Sequence, residues 1–590
     1  MTWQTFAFFA VAGGAFGLAG LRLRTLYRLM RATHGKDMRW SEVPARIGTF
    51  VVNVIGQASL FRKKAAGLMH AMIFWGFIII TLGTIEQFLS TIHEALSLQF
   101  IGHTLYAGLV FLQDLFTLLV LVGVSMAAWR RFVVRPEYLG QSRDANIILL
   151  LTTSLMVAIF LMNGFFILGR DPWYAEYMPF SSTVASGLRG LGLGQEGNLA
   201  FGTLFKWVHM CIVLGFAVYI PGSKHLHVLA AAPNTFFRTL RREKGMKPIH
   251  FEDETVVQYG AAKITDLSWK DTLDFYSCTE CGRCQELCPA WNTQKPLSPK
   301  NLIVDLKHGL FKNKDAILAG NSDAVTPVID ENVTEDVIWA CTSCRACEIA
   351  CPVFIEHTDK IYEVRRNLVL MESRFPTELQ TVFKNMETNG TPWAFAAADR
   401  GQWAEGLNVP TMAESSQVDV LLWVGCAGSY DDRNKRVLRS FVSLLKKAGV
   451  RFAILGAEEQ CTGDPARRVG NEYLFQSLAK TNVETLKRYG VSRVVTACPH
   501  CFNSLKNEYK PFGGEYEVFH HTQFIAKLLS EGRIKPAKAV EETITFHDSC
   551  YLGRWNNVYG EPRSILQSLP SARLVEMKSN HDKSLCCGAG

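Results

Sequence analysis

Two cysteine runs constrain this chain more than any other feature of its sequence. Each has the spacing C-x2-C-x2-C-x3-C-P, and together they contain Cys278, Cys281, Cys284 and Cys288, then Cys341, Cys344, Cys347 and Cys351. Zinc sites use paired C-x2-C units, and neither zinc sites nor disulfides require a fourth cysteine followed by proline. Three closely spaced thiols and a fourth before proline are typical of iron–sulfur ligation. The rest of the chain is therefore expected to deliver electrons to this pair of runs or to accept electrons from it.

The double run resembles that of the two-cluster bacterial ferredoxins. In that family three thiolates of one run hold one [4Fe-4S] cluster, and the fourth cysteine ligates the neighbouring cluster. The resemblance implies two crossed ligand sets, which are Cys278, Cys281, Cys284 and Cys351 for one cluster and Cys341, Cys344, Cys347 and Cys288 for the other. Arg283 and Arg345 either place positive charge beside the clusters, which would favour their reduced state, or are solvated surface residues.

The composition changes along the chain. A length of 590 residues predicts three or four domains, and most of the 48% hydrophobic content comes from the first third. Of the 16 cysteines, only Cys211 precedes Cys278. A membrane module followed by a cofactor-bearing module explains this division, whereas a soluble enzyme does not. The formal charge of +8 does not indicate a nucleic-acid partner, because the basic residues crowd the loops between apolar segments.

Five apolar stretches are long enough to cross a lipid bilayer, and they are 3–21, 66–89, 104–129, 146–168 and 204–221. The first stretch has no basic residue before it, so it is interpreted as an uncleaved helix. Two loops carry most of the positive charge, through Lys36, Arg39, Arg46, Arg62, Lys63 and Lys64 in the first and Arg130, Arg131, Arg135 and Arg143 in the second. The positive-inside rule then predicts a multi-pass protein of the cell inner (cytoplasmic) membrane, with its N-terminus outside. Everything after Pro221 is expected in the cytoplasm, where thiolates stay reduced and can bind iron.

Histidines in or beside a membrane helix need a partner, because an ionisable group is costly in the bilayer. His70 and His227 are predicted at the same depth near the cytoplasmic face, where they could clamp one haem iron. His209 is predicted on the same helix as His227, and the rise per residue places the two roughly 27 Å apart. That position would suit an outer haem, although an interhelical hydrogen bond would also explain a membrane histidine.

These histidines resemble the haem ligands of the gamma subunit of respiratory nitrate reductase. The resemblance rests on the five-helix layout, on His70 in the second helix, and on the segments Phe205-Lys-Trp-Val-His209 and His225-Leu-His227. That family is a di-haem cytochrome b that exchanges electrons with quinol, so the resemblance implies one or two haem b groups and a membrane quinone as substrate. Asp114, in the third helix, is then either a proton carrier for quinone chemistry or a buried, hydrogen-bonded carboxyl.

The chain departs from that family in its second helix. The family has two histidines there, whereas residues 80–82, where the second would stand, contain none. The partner of His209 must therefore come from elsewhere, and His103 at the outer end of the third helix is the candidate. His225 is a rival to His227 for the inner haem, since both lie at the helix end.

The last third of the chain alternates strands and helices. Apolar strands are predicted at 418–425, 451–455 and 493–497, with helices at 434–448 and 471–489 between them. These strands lead in turn to Cys426, to Cys461, and to Cys498 and Cys501. A strand at 543–546 starts the pattern again before Cys550 and the pair Cys586-Cys587. Because the cysteines recur at strand ends, they indicate a site at the rim of an α/β domain with an internal repeat rather than small buried hydrophobes.

This pattern resembles the cysteine-rich CCG module of heterodisulfide reductase catalytic subunits, glycolate oxidase iron–sulfur subunits and lactate-utilisation proteins. The resemblance implies one or two further iron–sulfur clusters. The first copy has Cys461-Thr462 where the module has a Cys-Cys pair, and the remaining thiols, Cys426, Cys461, Cys498 and Cys501, suffice for an ordinary [4Fe-4S] cluster. The second copy reaches Gly590 before a C-x2-C appears, so either the chain is truncated or the site of Cys550, Cys586 and Cys587 is incomplete.

The expected fold is multidomain. It comprises an all-α five-helix transmembrane cytochrome b bundle at 1–228, a linker at 229–268, an α-helical two-cluster ferredoxin domain at 269–375, a second linker at 376–415 and an α/β CCG domain at 416–590. The basic stretch 238–247 in the first linker is expected to lie along the anionic inner leaflet.

This combination resembles the membrane-bound iron–sulfur oxidoreductases that accept electrons from electron transfer flavoprotein and pass them to menaquinone. The resemblance covers nearly the whole chain and implies an oxidoreductase with that flavoprotein as donor. Two alternatives stay open, namely a heterodisulfide or other thiol-disulfide reductase component coupled to a membrane quinone and a non-catalytic membrane anchor of a dehydrogenase complex. The sequence has no Rossmann fingerprint or P-loop, so we expect no nicotinamide, flavin or nucleotide site and assign no catalytic residue.

Overall fold

The computed structural model describes residues 3–33, 38–93, 95–140, 142–240, 245–415 and 417–588. Lys36, residues 241–244 of the predicted basic stretch, and Gly590 lie outside these ranges. The first part of the described chain forms helices α1 (Trp3–Arg31), α2 (Val43–Phe50), α3 (Lys64–Ile92), α4 (His103–Trp129), α5 (Arg143–Arg170), α6 (Pro179–Leu188), α7 (Gln195–Tyr219) and α8 (His227–Phe236).

Five of these helices, α1, α3, α4, α5 and α7, are long and apolar enough to cross a membrane. The five predicted apolar stretches are thus confirmed as helices, and each helix extends beyond the predicted stretch at one or both ends. Small residues let α3 and α4 approach closely, since a Cβ at Gly76 would lie 2.2 Å from the Val120 side chain and one at Gly123 would lie 3.1 Å from the Met69 carbonyl oxygen. Close packing through small residues is the usual way in which membrane helices associate.

The fifth apolar helix does not continue to His227. α7 ends at Tyr219, a short turn covers Ile220–Gly222, and α8 begins at His227. Pro221 lies in that turn, and proline has no amide hydrogen with which to continue the helical hydrogen bonding. The prediction that His209 and His227 share one helix is therefore wrong, and the spacing of roughly 27 Å worked out for a continuous helix does not apply.

The segment that holds the two cysteine runs is helical, as predicted. Its helices are α9 (Trp269–Ser277), α10 (Arg283–Glu286), α11 (Pro289–Asn292), α12 (Pro299–Lys312), α13 (Lys314–Leu318), α14 (Glu335–Trp339), α15 (Ala346–Ala350) and α16 (His357–Leu370). Phe275 and Leu302 share one buried core with Leu29 of α1, Ala230 of α8 and Leu267. The described residues of the segment 229–268 therefore pack onto this part of the chain and help to join it to the membrane helices.

The last part of the chain contains two parallel sheets. One has the strand order β2-β1-β3-β4 and the other pairs β5 with β6, and the strands are β1 (Val420–Trp423), β2 (Phe452–Ala453), β3 (Arg493–Thr496), β4 (Glu517–His520), β5 (Thr543–Ile544) and β6 (Arg573–Leu574). The helices of this part are α17 (Glu378–Asn389), α18 (Gly425–Tyr430), α19 (Asp432–Lys447), α20 (Asp464–Arg468), α21 (Glu472–Arg488), α22 (Pro499–Asn503), α23 (His521–Ser530) and α24 (Gly560–Gln567).

β1 is one of the two interior strands of the larger sheet. Leu421 pairs with Ala453 of β2 on one side and with Val494 of β3 on the other. Every residue of β1 is buried, as expected for a parallel strand that is covered on both faces. The segment 376–415, predicted as a second linker, adds the buried side chains of Met386 and Trp403 to the cores around this sheet. The carboxyl ends of β1 and β3 point to one edge, and the first cysteines of this domain lie there.

Candidate metal centres

The first crossed set of cysteines comes together in the structure. Burial raises the pKa of the Cys284 thiol well above its ordinary value, and the neighbouring thiols of Cys281, Cys351 and Cys278 raise it further. Cys351 belongs to the second run, so the fourth cysteine has crossed to the other run as the ferredoxin pattern implies. The backbone N–H of Ile355 donates to the Cys351 sulfur at 3.4 Å, and N–H groups of this kind also stabilise cluster sulfurs.

The second crossed set is built in the same way. Burial raises the pKa of the Cys347 thiol well above its ordinary value, and Cys341, Cys344 and Cys288 are among the groups that raise it further. The backbone N–H of Ser343 donates to the Cys341 sulfur at 3.4 Å. Three cysteines of the second run and one of the first thus face each other.

Both sets fit a [4Fe-4S] cluster better than a single metal ion. Among the described residues, no three His, Cys, Asp or Glu side chains are grouped closely enough to hold one ion. A cluster distributes its four thiolates over four iron atoms, so it requires a wider spacing than one zinc ion does. Burial disfavours the ionised form of these thiols and the neighbouring thiolates repel it further, so the thiol pKa values are raised, and a bound cation would offset both effects.

The first run is docked against two loops of the membrane part. Gly282 has a φ of +75°, and a Cβ at this position would lie 2.1 Å from the carbonyl oxygen of Tyr138, in the loop after α4. The next residue, Arg283, is buried and donates to the carbonyls of Ser59 at 3.3 Å and Leu60 at 3.2 Å, in the loop before α3. Of the two interpretations of Arg283, the structure therefore excludes a solvated surface residue.

His70 and His227 each hold one ring nitrogen in a hydrogen bond. Nδ1 of His70 lies 3.1 Å from Oε1 of Gln57, and Nδ1 of His227 lies 3.1 Å from the carbonyl oxygen of Lys224. Such a bond orients the ring and leaves Nε2 available as a ligand.

The ring of His225 lies 5.1 Å from that of His227. Burial, together with the nearby His227 and His70, lowers the pKa of His225 to about 3, so the three rings cluster together. These residues fit a haem iron held by His70 and by either His225, in the turn before α8, or His227, at the start of α8.

The structure does not bring His209 and His103 together. His209 is fully buried, and its Nε2 lies 3.2 Å from Oγ1 of Thr84 on α3. His103 is exposed at the start of α4, where its ring stacks on Trp173 at 4.0 Å. Within the described residues His209 therefore has a hydroxyl partner and no second histidine, and the outer haem stays a prediction. Thr84 was missed because a threonine in an apolar helix carries no sequence signal.

The first cysteine set of the C-terminal domain converges at the ends of β1 and β3. Cys426 and Cys461 share one buried cluster, Cys498 packs against the core that contains Cys501, and the thiols of each pair lie close enough to shift each other's pKa. Gly425 has a φ of +73°, and a Cβ at this position would lie 3.2 Å from the Cys501 sulfur. Glycine therefore keeps the space between the sulfurs open, and the four cysteines fit a cluster. We call these four cysteines the Cys426 set.

Two buried charged residues beside the Cys426 set were missed by sequence reasoning. Nη2 of Arg400 lies 3.6 Å from the Cys426 sulfur, and Nη1 of Arg400 lies 2.9 Å from Oε1 of Glu459. Arg400 belongs to the segment predicted as a linker, where an arginine among mixed charges looks like any solvated residue. Only the packing of that segment brings it to the site.

The second copy of the cysteine pattern lies against the second ferredoxin run. Cys586 packs against a buried cluster that contains Cys550 and Cys344, and its thiol raises the pKa of both, so it lies beside a ligand of the second crossed set. Arg554 reinforces this contact by donating to the Cys344 carbonyl at 2.7 Å. Cys587 is exposed. The contact with Cys344 could not be predicted from sequence, because the two cysteines lie in different domains.

A ring stack joins the two cysteine sites of the C-terminal domain. His500 stands between Cys498 and Cys501, and its ring stacks on that of Tyr551 at 3.9 Å. Tyr551 directly follows Cys550, so the two sites are separated by little more than this pair of rings.

Asp114 caps a helix. Its carboxylate accepts hydrogen bonds from the backbone N–H of Phe180 at 2.8 Å and from the N–H and hydroxyl of Ser181 at 3.1 Å and 2.5 Å. These residues begin α6, so Asp114 on α4 satisfies otherwise unpaired N–H groups at the start of that helix. Of its two interpretations, the structure supports the buried, hydrogen-bonded carboxyl.

Comparison with known proteins agrees with this division of the chain. The model of the "4Fe-4S dicluster domain" matches residues 277–355, and that of the "Cysteine-rich domain" (CCG) matches residues 420–506 and again 544–590. The ferredoxin runs, the CCG module and its repeat are thereby confirmed. The matches and the helices together define an iron–sulfur oxidoreductase with five apolar helices in its N-terminal region.

Relatives that match most of this chain show which family it belongs to. The chain is 38% identical to the "Probable iron-sulfur-binding oxidoreductase FadF" of Bacillus subtilis, over 94% of this chain and 83% of that protein. It is 36% identical to the "EtfAB:quinone oxidoreductase" of Syntrophomonas wolfei, over 94% of this chain and 82% of that protein. It is 31% identical to one subunit of the "Dihydromethanophenazine:CoB--CoM heterodisulfide reductase" of Methanosarcina mazei, over 54% of this chain and 78% of that protein. The chain belongs to the family of iron–sulfur oxidoreductases that includes the first two proteins, and no solved structure matches it.

Proposed function

We propose that this chain accepts electrons from reduced electron transfer flavoprotein and delivers them to menaquinone in the cell inner membrane. The proposal is supported by the similarity to EtfAB:quinone oxidoreductase and by the two crossed cysteine sets. When bound, [4Fe-4S] clusters and haem b would supply one-electron carriers between a flavoprotein and a quinone. The flavoprotein is expected to dock on the CCG domain, which holds the cysteines that lie furthest along the chain from the membrane helices.

The observation that carries the proposal is a series of direct contacts from the C-terminal cysteines to the membrane histidines. Arg365 joins the CCG domain to the second run, since its guanidinium donates to the carbonyls of Arg468 at 2.9 Å and Cys341 at 2.7 Å. Cys586 lies beside Cys344. The CCG domain is therefore joined to the second crossed set at two places, through Arg468 and at Cys586.

The same series continues at the membrane end. Glu280 lies between Cys278 and Cys281 of the first run, and its carboxylate lies 3.4 Å from Nζ of Lys224. The carbonyl oxygen of Lys224 lies 3.1 Å from Nδ1 of His227. One lysine thus connects the first run with the turn that carries the histidine proposed as a haem ligand.

Ion pairs support placing the cysteine domains on the cytoplasmic side. Arg39, in the loop between α1 and α2, forms a buried two-pronged pair with Glu356 at 2.7 Å and 2.8 Å. Lys63, just before α3, pairs with Glu286 of the first run. These are the basic loops that the positive-inside rule assigns to the cytoplasm. We therefore place the N-terminus outside and the cysteine domains inside, where their thiols stay reduced.

The donor and the acceptor can be tested directly. Reduced electron transfer flavoprotein and a soluble menaquinone analogue are added to the protein in liposomes while the haem absorbance is followed. Rapid haem reduction, followed by reduction of the quinone analogue, is expected. Inertness to the flavoprotein would contradict the proposal.

The crossed cysteine sets can be tested separately. Cys284→Ser and Cys347→Ser should each remove one cluster and stop quinone reduction while haem stays bound. Cys211→Ser is the matched control, because Cys211 is exposed on α7 and belongs to none of the sets. Cluster content is measured by EPR and turnover by quinone reduction. Full turnover with a cluster demonstrably absent would contradict this route.

A second candidate function is disulfide reduction coupled to a membrane quinone. It is favoured by the similarity to a heterodisulfide reductase and by the adjacent thiols Cys586 and Cys587. Brisk haem oxidation by a disulfide substrate, together with no response to the flavoprotein, would move the assignment to this candidate. A non-catalytic anchor gains no support, because the relatives that match most of the chain are named as oxidoreductases.

A further inference from the structure

We infer that the buried pair of Arg400 and Glu459 sets the redox potential of the cluster proposed on the Cys426 set. The inference rests on the proposed ligand role of those four cysteines. It assigns to the ion pair a positioning and tuning role, since neither residue is itself expected to ligate iron. Both side chains are 1% exposed, and their N···O distance is 2.9 Å.

The pair has a fixed direction relative to the cysteine. The guanidinium of Arg400 faces the sulfur, with Nη2 lying 3.6 Å from Sγ of Cys426 and 2.9 Å from the carbonyl oxygen of Gly390. The carboxylate of Glu459 faces the backbone before the cysteine and accepts the N–H groups of Val424 and Gly425, both at 2.8 Å. The positive end of the pair therefore points at the thiolate, and the negative end is neutralised by backbone dipoles.

Shared contacts fix this orientation. The Gly390 carbonyl that accepts from Arg400 also accepts the N–H of Cys461 at 2.6 Å, so the arginine and a second cysteine of the set share one acceptor. The ring of Tyr430 lies 5.6 Å from the guanidinium carbon of Arg400. The arginine therefore cannot swing towards solvent when the charge at the cysteine changes.

Stability alone is a poor explanation for this pair. Burying two charges is expensive, and apolar residues of similar volume would often stabilise a fold as well or better. A fixed positive charge is useful where negative charge increases during the reaction. Reduction adds one negative charge to a cluster and its thiolates, and a nearby guanidinium favours that state strongly in a buried site of low dielectric. The pair is thus expected to raise the potential of this cluster relative to a neutral environment.

The test measures the potential of the cluster and not activity. Arg400→Gln and Glu459→Gln are made in the full chain, and each protein is titrated redox-potentiometrically with EPR detection of the cluster on the Cys426 set. Arg400→Gln should lower the ratio of reduced to oxidised cluster at least tenfold at a fixed potential, equivalent to a midpoint about 59 mV lower for one electron. Glu459→Gln should change the ratio in the opposite direction.

Opposite shifts separate electrostatic tuning from structural support, because loss of packing would disturb both variants in the same way. Arg400→Lys keeps the positive charge, so its ratio of reduced to oxidised cluster should stay within threefold of the parent's ratio. This variant provides a readout if Arg400→Gln does not retain its cluster. Glu472→Gln is the matched control, since Glu472 is a fully buried partner of Arg467 in the same domain. It should lower thermal stability and leave the midpoint in place.

Two results would overturn the inference. One is that Arg400→Gln and Glu459→Gln both keep the cluster intact but shift its midpoint potential in the same direction or leave it unchanged. The other is that the parent protein, with iron and sulfide counted, holds no cluster on the Cys426 set. Neither result depends on the identity of the electron donor. Failure of the flavoprotein proposal can therefore be distinguished from failure of this inference.

Discussion

Replacing Gly282 by alanine tests how the first cysteine run is docked on the membrane part. Gly282 has a φ of +75°, and this left-handed conformation costs an alanine about 1–2 kcal/mol. The added Cβ would lie 2.1 Å from the Tyr138 carbonyl oxygen and 2.9 Å from its carbon. These are backbone atoms that cannot rotate away, so the two segments must separate by nearly an ångström. Overpacking of this kind adds about 1–3 kcal/mol, which makes the total cost roughly 2–5 kcal/mol.

A matched control isolates the clash from the backbone strain. Gly320 has a φ of +71°, and a Cβ added there would meet no atom within 4 Å, so Gly320→Ala suffers strain without a clash. Both variants are compared by thermal unfolding, by EPR of the ferredoxin clusters and by the rate of haem reduction. Gly282→Ala should unfold at a lower temperature than the control and reduce the haem more slowly, with both clusters still present.

Equal loss of stability and equal rates of haem reduction in Gly282→Ala and Gly320→Ala would contradict the role of Gly282 in docking. That result would mean that the loop after α4 yields without cost, and that the contact with Tyr138 does not position the first run.

Five further substitutions test other sites. His70→Ala should abolish the inner low-spin haem spectrum, whereas His209→Ala should leave it intact; loss of that spectrum in both would contradict the assignment. Gln57→Leu removes the hydrogen-bond partner of the His70 Nδ1 and should weaken haem binding about 10–100-fold in a haem titration. Asp114→Ala removes the cap of α6 and should cost about 1–2 kcal/mol of stability without changing the proton uptake that accompanies quinone reduction. Gly425→Ala should eliminate the EPR signal of the Cys426 set and keep the ferredoxin signals, and retention of all signals would contradict the role of the glycine.

The crossed cysteine sets could be predicted because ligand spacing is largely a local property. A C-x2-C-x2-C run brings three thiols together within a few residues, whatever the surrounding fold. The resemblance to ferredoxins also predicted that Cys288 and Cys351 cross to the opposite cluster. The structure places Cys288 beside Cys341 and Cys351 beside Cys284. The five apolar helices could be predicted for a similar reason, since a bilayer requires a long, continuous apolar segment.

Sequence reasoning failed where function depends on non-local packing. The break after Tyr219 was signalled by Pro221, which ends the predicted apolar stretch, but His227 was still assigned to the same helix. The burial of Trp403 depends on contacts with strands that lie far along the chain, so the segment 376–415 resembled a linker. Arg400 reaches Cys426 only through that packing.

Gly282 and Gly425, which have a positive φ and each adjoin a candidate cysteine ligand, meet two different requirements of the proposed electron route. Gly282 makes room for another domain, because its missing Cβ would collide with the membrane loop, whereas Gly425 makes room within one cysteine set, because its missing Cβ would approach the Cys501 sulfur. Alanine at the first position should keep the clusters and slow transfer between domains, and alanine at the second should remove one cluster and leave docking intact. Cys586 lies beside Cys344 independently of the Cys426 set, so the chain has two points at which electrons could reach the second run. If Gly425→Ala stops haem reduction by the flavoprotein, electrons enter at the Cys426 set; if haem reduction persists, they enter through Cys586 and Cys344.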